Sequence, residues 1–293
     1  MLGDLAQRNA PLGERTTYRV GGAAALYALI DSDQALERVV DAVSTTGIEV
    51  LVFGKGSNLL VADKGFQGLV VSLGGIFEQI DIDHERASVD AGGGASYPVL
   101  ARQTAAAGLT GLEWAVGIPG TVGGAVAMNA GGHGSVTADR LVCAHLVGLG
   151  DRTNRILTPR ELVLGYRSSV LTPLDLVLSA TYFLDAGSAE TSMEEINAIV
   201  RWRHDHQPGG RNAGSIFINP KDDSAGRIID ASGLKGLRIG SAEVSDKHAN
   251  FVQVDENGSA DDIYRLIKEV QRIIAERTGI SLLPEVRLVG FEV

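Results

Sequence analysis

Leu36, Val39, Val40 and Val43 recur at helical spacing behind Asp31 and Gln34, which are spaced as an N-cap and its N3 partner. A first helix is predicted there, stopped by Gly47. Ile48 to Phe53 reads as a buried strand ending at a glycine-rich turn, Gly54 to Asn58, and Leu69 to Leu73 as a second apolar stretch. From about Glu85 the texture changes to strand-like and turn-like pieces: Ala87 to Ala91, Leu141 to Leu149 and Leu176 to Leu184. Pro98 to Ala107 suits a short helix ended by Gly108. Asp185 to Glu190 reads as a small polar linker, and Thr191 with Glu194 has capping-box spacing for a helix to about His206. The strongest pattern runs from Ser259 to Thr278, where Ile263, Leu266, Ile267, Val270, Ile273 and Ile274 form one apolar face and Gly279 supplies the stop. Ser281 to Val289 closes the chain as a predicted strand. There is no internal repeat and no low-complexity segment, and the texture divides the chain into 1–84, 85–188 and 189–293.

Gly111 to Gly134 breaks both periods. It holds too many glycines for a packed helix and too many aliphatics for a linker. Ile118, Val122, Ala125, Val126 and Met128 are suited to anchor such a loop, while its glycines let the backbone approach a bound group. Exposed main-chain N–H groups there would suit a diphosphate. A run of tight turns between strands is the other reading.

With 293 residues and 44% hydrophobic content, the chain can bury a sizeable core. A formal net charge of −10, with Lys and Arg scattered, argues against a nucleic-acid surface. The lone cysteine, Cys143, excludes an internal disulfide and a multi-thiolate metal site. No basic-then-apolar leader opens the sequence, and the longest small or apolar run, Ala23 to Ile30, is too short to span a membrane. A cytoplasmic protein is expected.

Gly54 to Leu60 starts like a dinucleotide fingerprint but lacks its third glycine, so a Rossmann domain is disfavoured; no P-loop motif occurs either. A plain turn is the alternative. Arg167, between Gly165-Tyr166 and Ser168-Ser169, could clamp a carboxylate by two parallel hydrogen bonds, or serve in a surface salt bridge. Ser215 follows Gly214 outside any nucleophile-elbow pattern, and a cap or turn serine is its bland reading. Glu285 lies in an otherwise apolar strand, where a carboxylate must be exposed, paired or protonated. The histidines have no metal-ligand spacing, His204 and His206 falling on roughly opposite helix faces, so no metal is expected.

Taken in order, Thr16 to Gly22, Gly54 to Leu60, Gly117 to Ala125, Gly165 to Ser168, Gly214 to Phe217, Ala242 to His248 and Pro284 to Arg287 resemble the UDP-N-acetylenolpyruvoylglucosamine reductases over nearly the whole chain. The resemblance implies an α+β protein: a two-lobed FAD-binding domain of the vanillyl-alcohol-oxidase (PCMH) type in 1–84 and 85–188, then an α/β substrate-binding domain in 189–293. It implies an NADPH-dependent reduction of UDP-N-acetylglucosamine enolpyruvate to UDP-N-acetylmuramate for peptidoglycan synthesis, with flavin N5 delivering hydride after NADPH has reduced the flavin and left.

By the same resemblance, FAD would be held by Gly54, Lys55, Gly56, Ser57, Asn58 and Leu59 and by Gly117, Ile118, Pro119, Gly120, Thr121, Gly123 and Gly124. Arg167 and a protonated Glu285 would stabilise enolate charge, and Ser215 would donate the quenching proton. Tyr166, Asn219 and His248 would contact substrate. Two positions depart from the family pattern: Ile218 replaces a lysine before Asn219, and Gly132-His133 replaces an Ala-Tyr pair. There is no room for the Tyr-bearing insertion of one family branch, so the shorter type is implied, expected as a monomer. A flavin oxidase of the same fold acting on an alcohol or sugar, and a non-catalytic flavin or UDP-sugar module, are the rival readings.

Overall fold

The computed structural model describes residues 1–292. The described chain divides into two compact units: Met1–Arg8, Leu26–Gly54 and Gly68–Arg203 in the first, and Asn9–Ala25, Lys55–Gln67 and the residues from His204 onward in the second. Their sequence segments are thus interleaved.

In the first unit, α1 (Asp33–Thr46) ends at Gly47 in the left-handed conformation, as its sequence predicts. Its N-cap is Ser32 rather than Asp31, because the Ser32 hydroxyl is the side-chain oxygen that accepts from Ala35 N–H. Val39 and Val43 pack against Ala28, Ile30, Leu69 and Val71 of a sheet ordered Ala6–Ala10, Ala24–Ile30, Phe66–Leu73, Val50–Val52. The predicted strand from Ile48 to Phe53 is therefore only Val50–Val52, parallel to its neighbour.

A second, antiparallel sheet runs in the order Asn154–Leu157, Leu141–Gly148, Asp175–Phe183, Ser88–Gly92, Ile80–Asp83. Packed on it are α2 (Tyr97–Ala106), which has proline in its first turn, and α3 (Val122–Ala127). The glycine segment thus contains a short helix, contrary to its composition. Val122, Ala125 and Val126 are buried, and a Cβ at Gly123 would stand 3.0 Å from the Gly93 carbonyl, so close packing outweighs the helix cost of glycine.

The predicted linker is also partly ordered. Asp185–Ala186 pairs with Leu109–Thr110, and α4 (Ala189–His206) begins before Thr191. Its Ser192 hydroxyl donates to buried Glu113, a tertiary contact that local capping chemistry does not encode.

In the second unit, α5 (Ala225–Ala231) and α6 (Ala260–Thr278) enclose a core with Tyr18, Leu60 and Phe217. α6 follows its sequence prediction closely: Ser259 caps it, Gly279 ends it in the left-handed region, and all of its predicted apolar face is buried or partly buried. The predicted closing strand is shorter, Arg287–Val289, paired in parallel with Leu59–Val61. No helix among the described residues is long and apolar enough to cross a membrane.

Candidate active site

Within the first unit, Gly54 and Thr121 meet closely. A Cβ on Gly54 would lie 2.7 Å from Thr121 Oγ1, and that oxygen already accepts from Gly124 N–H at 3.2 Å to cap α3. The N–H groups of Gly54 and Thr121 donate to no other described residue, so two residues that approach closely each keep a backbone donor without a protein partner. This fits a diphosphate group. Elsewhere in 117–124 the expected supply of free N–H groups is not found: Ile118 donates to Ala115 O, Gly120 to Ile118 O, Val122 to Ala95 O and Gly123 to Gly93 O. The segment uses most of its donors to hold its own shape.

Three neighbouring non-glycine residues in the same unit have left-handed φ: Asn129 (39°), His133 (52°) and Arg167 (54°). Such conformations persist only where surrounding contacts over-determine them. Asn129 Nδ2 donates to Gly165 O at 2.9 Å and its Oδ1 accepts from Ala138 N–H at 3.0 Å, while Ser169 Oγ donates to Ala127 O at 2.7 Å. Arg167 is thereby presented from a pinned turn, with Nη2 donating to Gly131 O at 2.7 Å. Its guanidinium lies 5.4 Å from the ring centroid of exposed Tyr166. His133 sits edge-on to Trp202 at 5.1 Å and against Gly117, and its pKa is lowered by burial and by the Arg203 charge. The structure therefore groups Arg167, His133 and the end of the glycine segment.

The second unit ties the other motifs together. Thr17 N–H donates to Gly56 O at 3.2 Å, and Asn58 Nδ2 donates to Glu285 O at 3.1 Å. Arg287 N–H donates to Asn58 O at 3.0 Å, and Leu59 opposes Arg287 in the parallel pair. Gly56, Ser57 and Asn58 keep their own N–H groups free of described partners. Glu285 N–H donates to Ile216 O at 2.7 Å, which places Ser215 and Glu285 on adjacent segments. The half-buried Ser215 hydroxyl makes no hydrogen bond to another described residue.

His248 Nδ1 accepts from Asn250 N–H at 3.2 Å, so in its neutral form Nε2 carries the proton. Burial first, and the Lys235 charge as well, lower its pKa, which favours that neutral form. Asn219 Oδ1 accepts from Ala225 N–H at 3.0 Å at the start of α5, leaving its Nδ2 without a described partner.

Two supports escaped the motif reading. The Gly92 to Gly94 triplet carries the carbonyl that receives Gly123 N–H, and Asn250 brackets the Ser215 segment. Consecutive glycines and an Asn set between Ala249 and Phe251 were the available signals.

A model of an FAD binding domain matches residues 24–150, and one described as the C-terminal domain of UDP-N-acetylenolpyruvoylglucosamine reductase matches 205–289. The reductase of that name from Rubrobacter xylanophilus is 42% identical over 97% of this chain and 95% of its own length. This chain belongs to the UDP-N-acetylenolpyruvoylglucosamine reductase family. The family's Bacillus subtilis member is 38% identical over 96% of this chain and 93% of its own. The crystal structure of the Thermus caldophilus enzyme superposes with a TM-score of 0.85 at 35% identity, covering 97% of this chain and 98% of that one. The expected α+β class and FAD-binding fold hold with these matches.

Proposed function

We propose that this chain is the NADPH-dependent FAD enzyme that reduces UDP-N-acetylglucosamine enolpyruvate to UDP-N-acetylmuramate, a precursor of peptidoglycan. The observation that carries the reading, beside family membership, is the Glu285 N–H to Ile216 O bond next to a Ser215 hydroxyl without an internal partner. FAD, when bound, supplies the relay of hydride from NADPH to the vinyl carbon. The chain's own residues manage charge and protons.

Hydride addition builds enolate charge on the substrate carboxylate. Arg167, held in its strained turn through Gly131 O, would neutralise it without reorganising. Glu285, when protonated, would donate a second hydrogen bond to the same charge. Ser215 would protonate the neighbouring carbon; a neutral serine is a weak acid, so a strongly basic enolate and a fixed hydroxyl are needed. Tyr166, Asn219 through its Nδ2, and His248 through Nε2–H would contact the substrate.

We assign FAD to Gly54 through Leu59 and to Gly117–Thr121 with Gly123 and Gly124, on lobes 1–84 and 85–188, and the substrate to 189–293. Gly54 and Thr121 support this by their close approach and by N–H groups that donate to no described residue. The reading further assigns a monomer in the cytoplasm. A flavin oxidase acting on an alcohol or sugar is not favoured, because the matched relatives are reductases throughout their length. The deciding assay is NADPH oxidation that depends on the enolpyruvyl substrate. A purified flavoprotein that oxidises NADPH no faster when the substrate is added would overturn the reading.

A further inference from the structure

Ser215 stands in a segment with no regular structure, just after Gly214 at φ 76°. Its hydroxyl position therefore depends on what fixes its neighbours. On the N-terminal side, Asn212 Oδ1 accepts from Gly214 N–H at 3.0 Å, closing a tight turn. On the C-terminal side, Phe217 opposes Pro284 in an isolated antiparallel bridge. The bonds flanking that bridge run from Glu285 N–H to Ile216 O and from Ile218 N–H to Leu283 O. Phe217 is thus the non-hydrogen-bonded member of the pair, and its own N–H and C=O point away from Pro284.

Those two buried groups are met by a single side chain. Asn250 Oδ1 accepts from Phe217 N–H at 2.9 Å, and Asn250 Nδ2 donates to Phe217 O at 2.9 Å. Asn250 is itself buried, 3% exposed, and its carbonyl accepts from Ile216 N–H at 2.8 Å. Its amide acts as the missing neighbouring strand, offering one donor and one acceptor to one residue. Burial of the Phe217 ring holds the chain in the core, whereas the two-point amide clamp sets the rotation of the peptide units on either side of Phe217, next to the Ser215–Ile216 unit whose N–H the Asn250 carbonyl holds. Among side chains of that size that are neutral at pH 7, only the amide carries its donor and its acceptor on separate atoms.

We infer that Asn250 is a positioning residue for the reduction, acting through Phe217 and Ile216 to set the Ser215 hydroxyl. The same clamp orients Ile216 O, the acceptor for Glu285 N–H, and Asn250 N–H fixes the His248 tautomer, so one residue bears on three assigned groups. The inference rests on the assignment of Ser215 as proton donor.

The test separates the half-reactions in stopped flow on FAD-loaded enzyme: flavin reduction by NADPH, and flavin reoxidation by the enolpyruvyl substrate. Asn250→Ala is expected to keep FAD and its rate of reduction by NADPH, and to slow reoxidation by about 10- to 100-fold, the range expected when a reacting group is misplaced by about an ångström. In a Ser215→Ala background the added Asn250→Ala change is expected to cost under about 3-fold, because the group it positions is gone. Asn250→Asp, which keeps the acceptor and loses the donor, serves if the alanine variant does not fold, with the same expectations. A role in general stability alone would slow both half-reactions together and add to Ser215→Ala; that result, or normal reoxidation in either Asn250 variant, overturns the inference. Normal reoxidation in Ser215→Ala itself would instead overturn the proton-donor assignment.

Discussion

Glu285 N–H donates to the carbonyl of Ile216 at 2.7 Å, so a carboxylate and the serine that precedes Ile216 are brought together by a backbone bond between segments about seventy residues apart. The side chains need not touch for their spacing to be set. Because the bond is between main-chain atoms, it survives changes to either side chain and allows the two roles to be separated by substitution.

Ser215→Ala is expected to leave FAD content and flavin reduction by NADPH unchanged while slowing reoxidation by the enolpyruvyl substrate by about 10²- to 10⁴-fold, the usual worth of a positioned acid. Stopped-flow absorbance of the flavin follows each step. Reoxidation within a few-fold of the native rate would remove Ser215 from the mechanism.

At Gly54 the prediction concerns space. A methyl there would lie 2.7 Å from Thr121 Oγ1, which cannot swing away without uncapping α3. Gly54→Ala should therefore purify with less FAD, read from the flavin-to-protein absorbance ratio. Thr121→Ala should lower stability by about 1 kcal/mol through the lost cap. Combining the two should restore FAD binding relative to Gly54→Ala alone, since the clashing oxygen is gone.

Arg167→Lys keeps the charge but loses the planar fork, and the three donors of Lys sit on one nitrogen, where they cannot hold Gly131 O and grip a carboxylate in parallel at the separate points the guanidinium reaches. Turnover is expected to fall by about 10²-fold with FAD content intact. Steady-state kinetics that showed only a raised KM at native kcat would mean the residue binds substrate without stabilising developing charge.

The histidines predict a pH dependence of stability. Burial, with Lys235, lowers the pKa of His248, and burial, with Arg203, lowers that of His133, both from 6.5. Well above 6.5 neither state is protonated and neither group contributes. As pH falls below that value, the unfolded chain takes up protons that the folded chain refuses, so stability declines until the folded groups titrate as well. Urea midpoints measured from about pH 7.5 to 5 should fall, and His248→Gln should flatten that slope. An unchanged slope in the variant would show that His248 does not carry the effect.

Much of the fold is legible locally. α6 follows from its apolar stripe, Ser259 and Gly279, and α1 from its stripe and Gly47, because caps and periodicity act within a few residues. The α1 cap fell one residue from its predicted place, since Asp31 and Ser32 are both good caps and only backbone geometry selects between them. The start of α4 differs for the same kind of reason: Ser188, inside the predicted linker, is the cap, its Oγ accepting from Thr191 N–H and its carbonyl from Ser192 N–H.

For the site, the ordered motifs determined by themselves the family, the cofactor and the residue types able to carry charge and protons. They could not say how those residues are held. The closeness of Gly54 to Thr121, the consumption of N–H groups inside 117–124, and the Asn250 clamp on Phe217 all depend on hydrogen bonds between segments remote in the chain. Such bonds leave little periodic trace in a sequence, because any residue supplies a backbone N–H and C=O, and only the folded chain decides which of them are left without a partner.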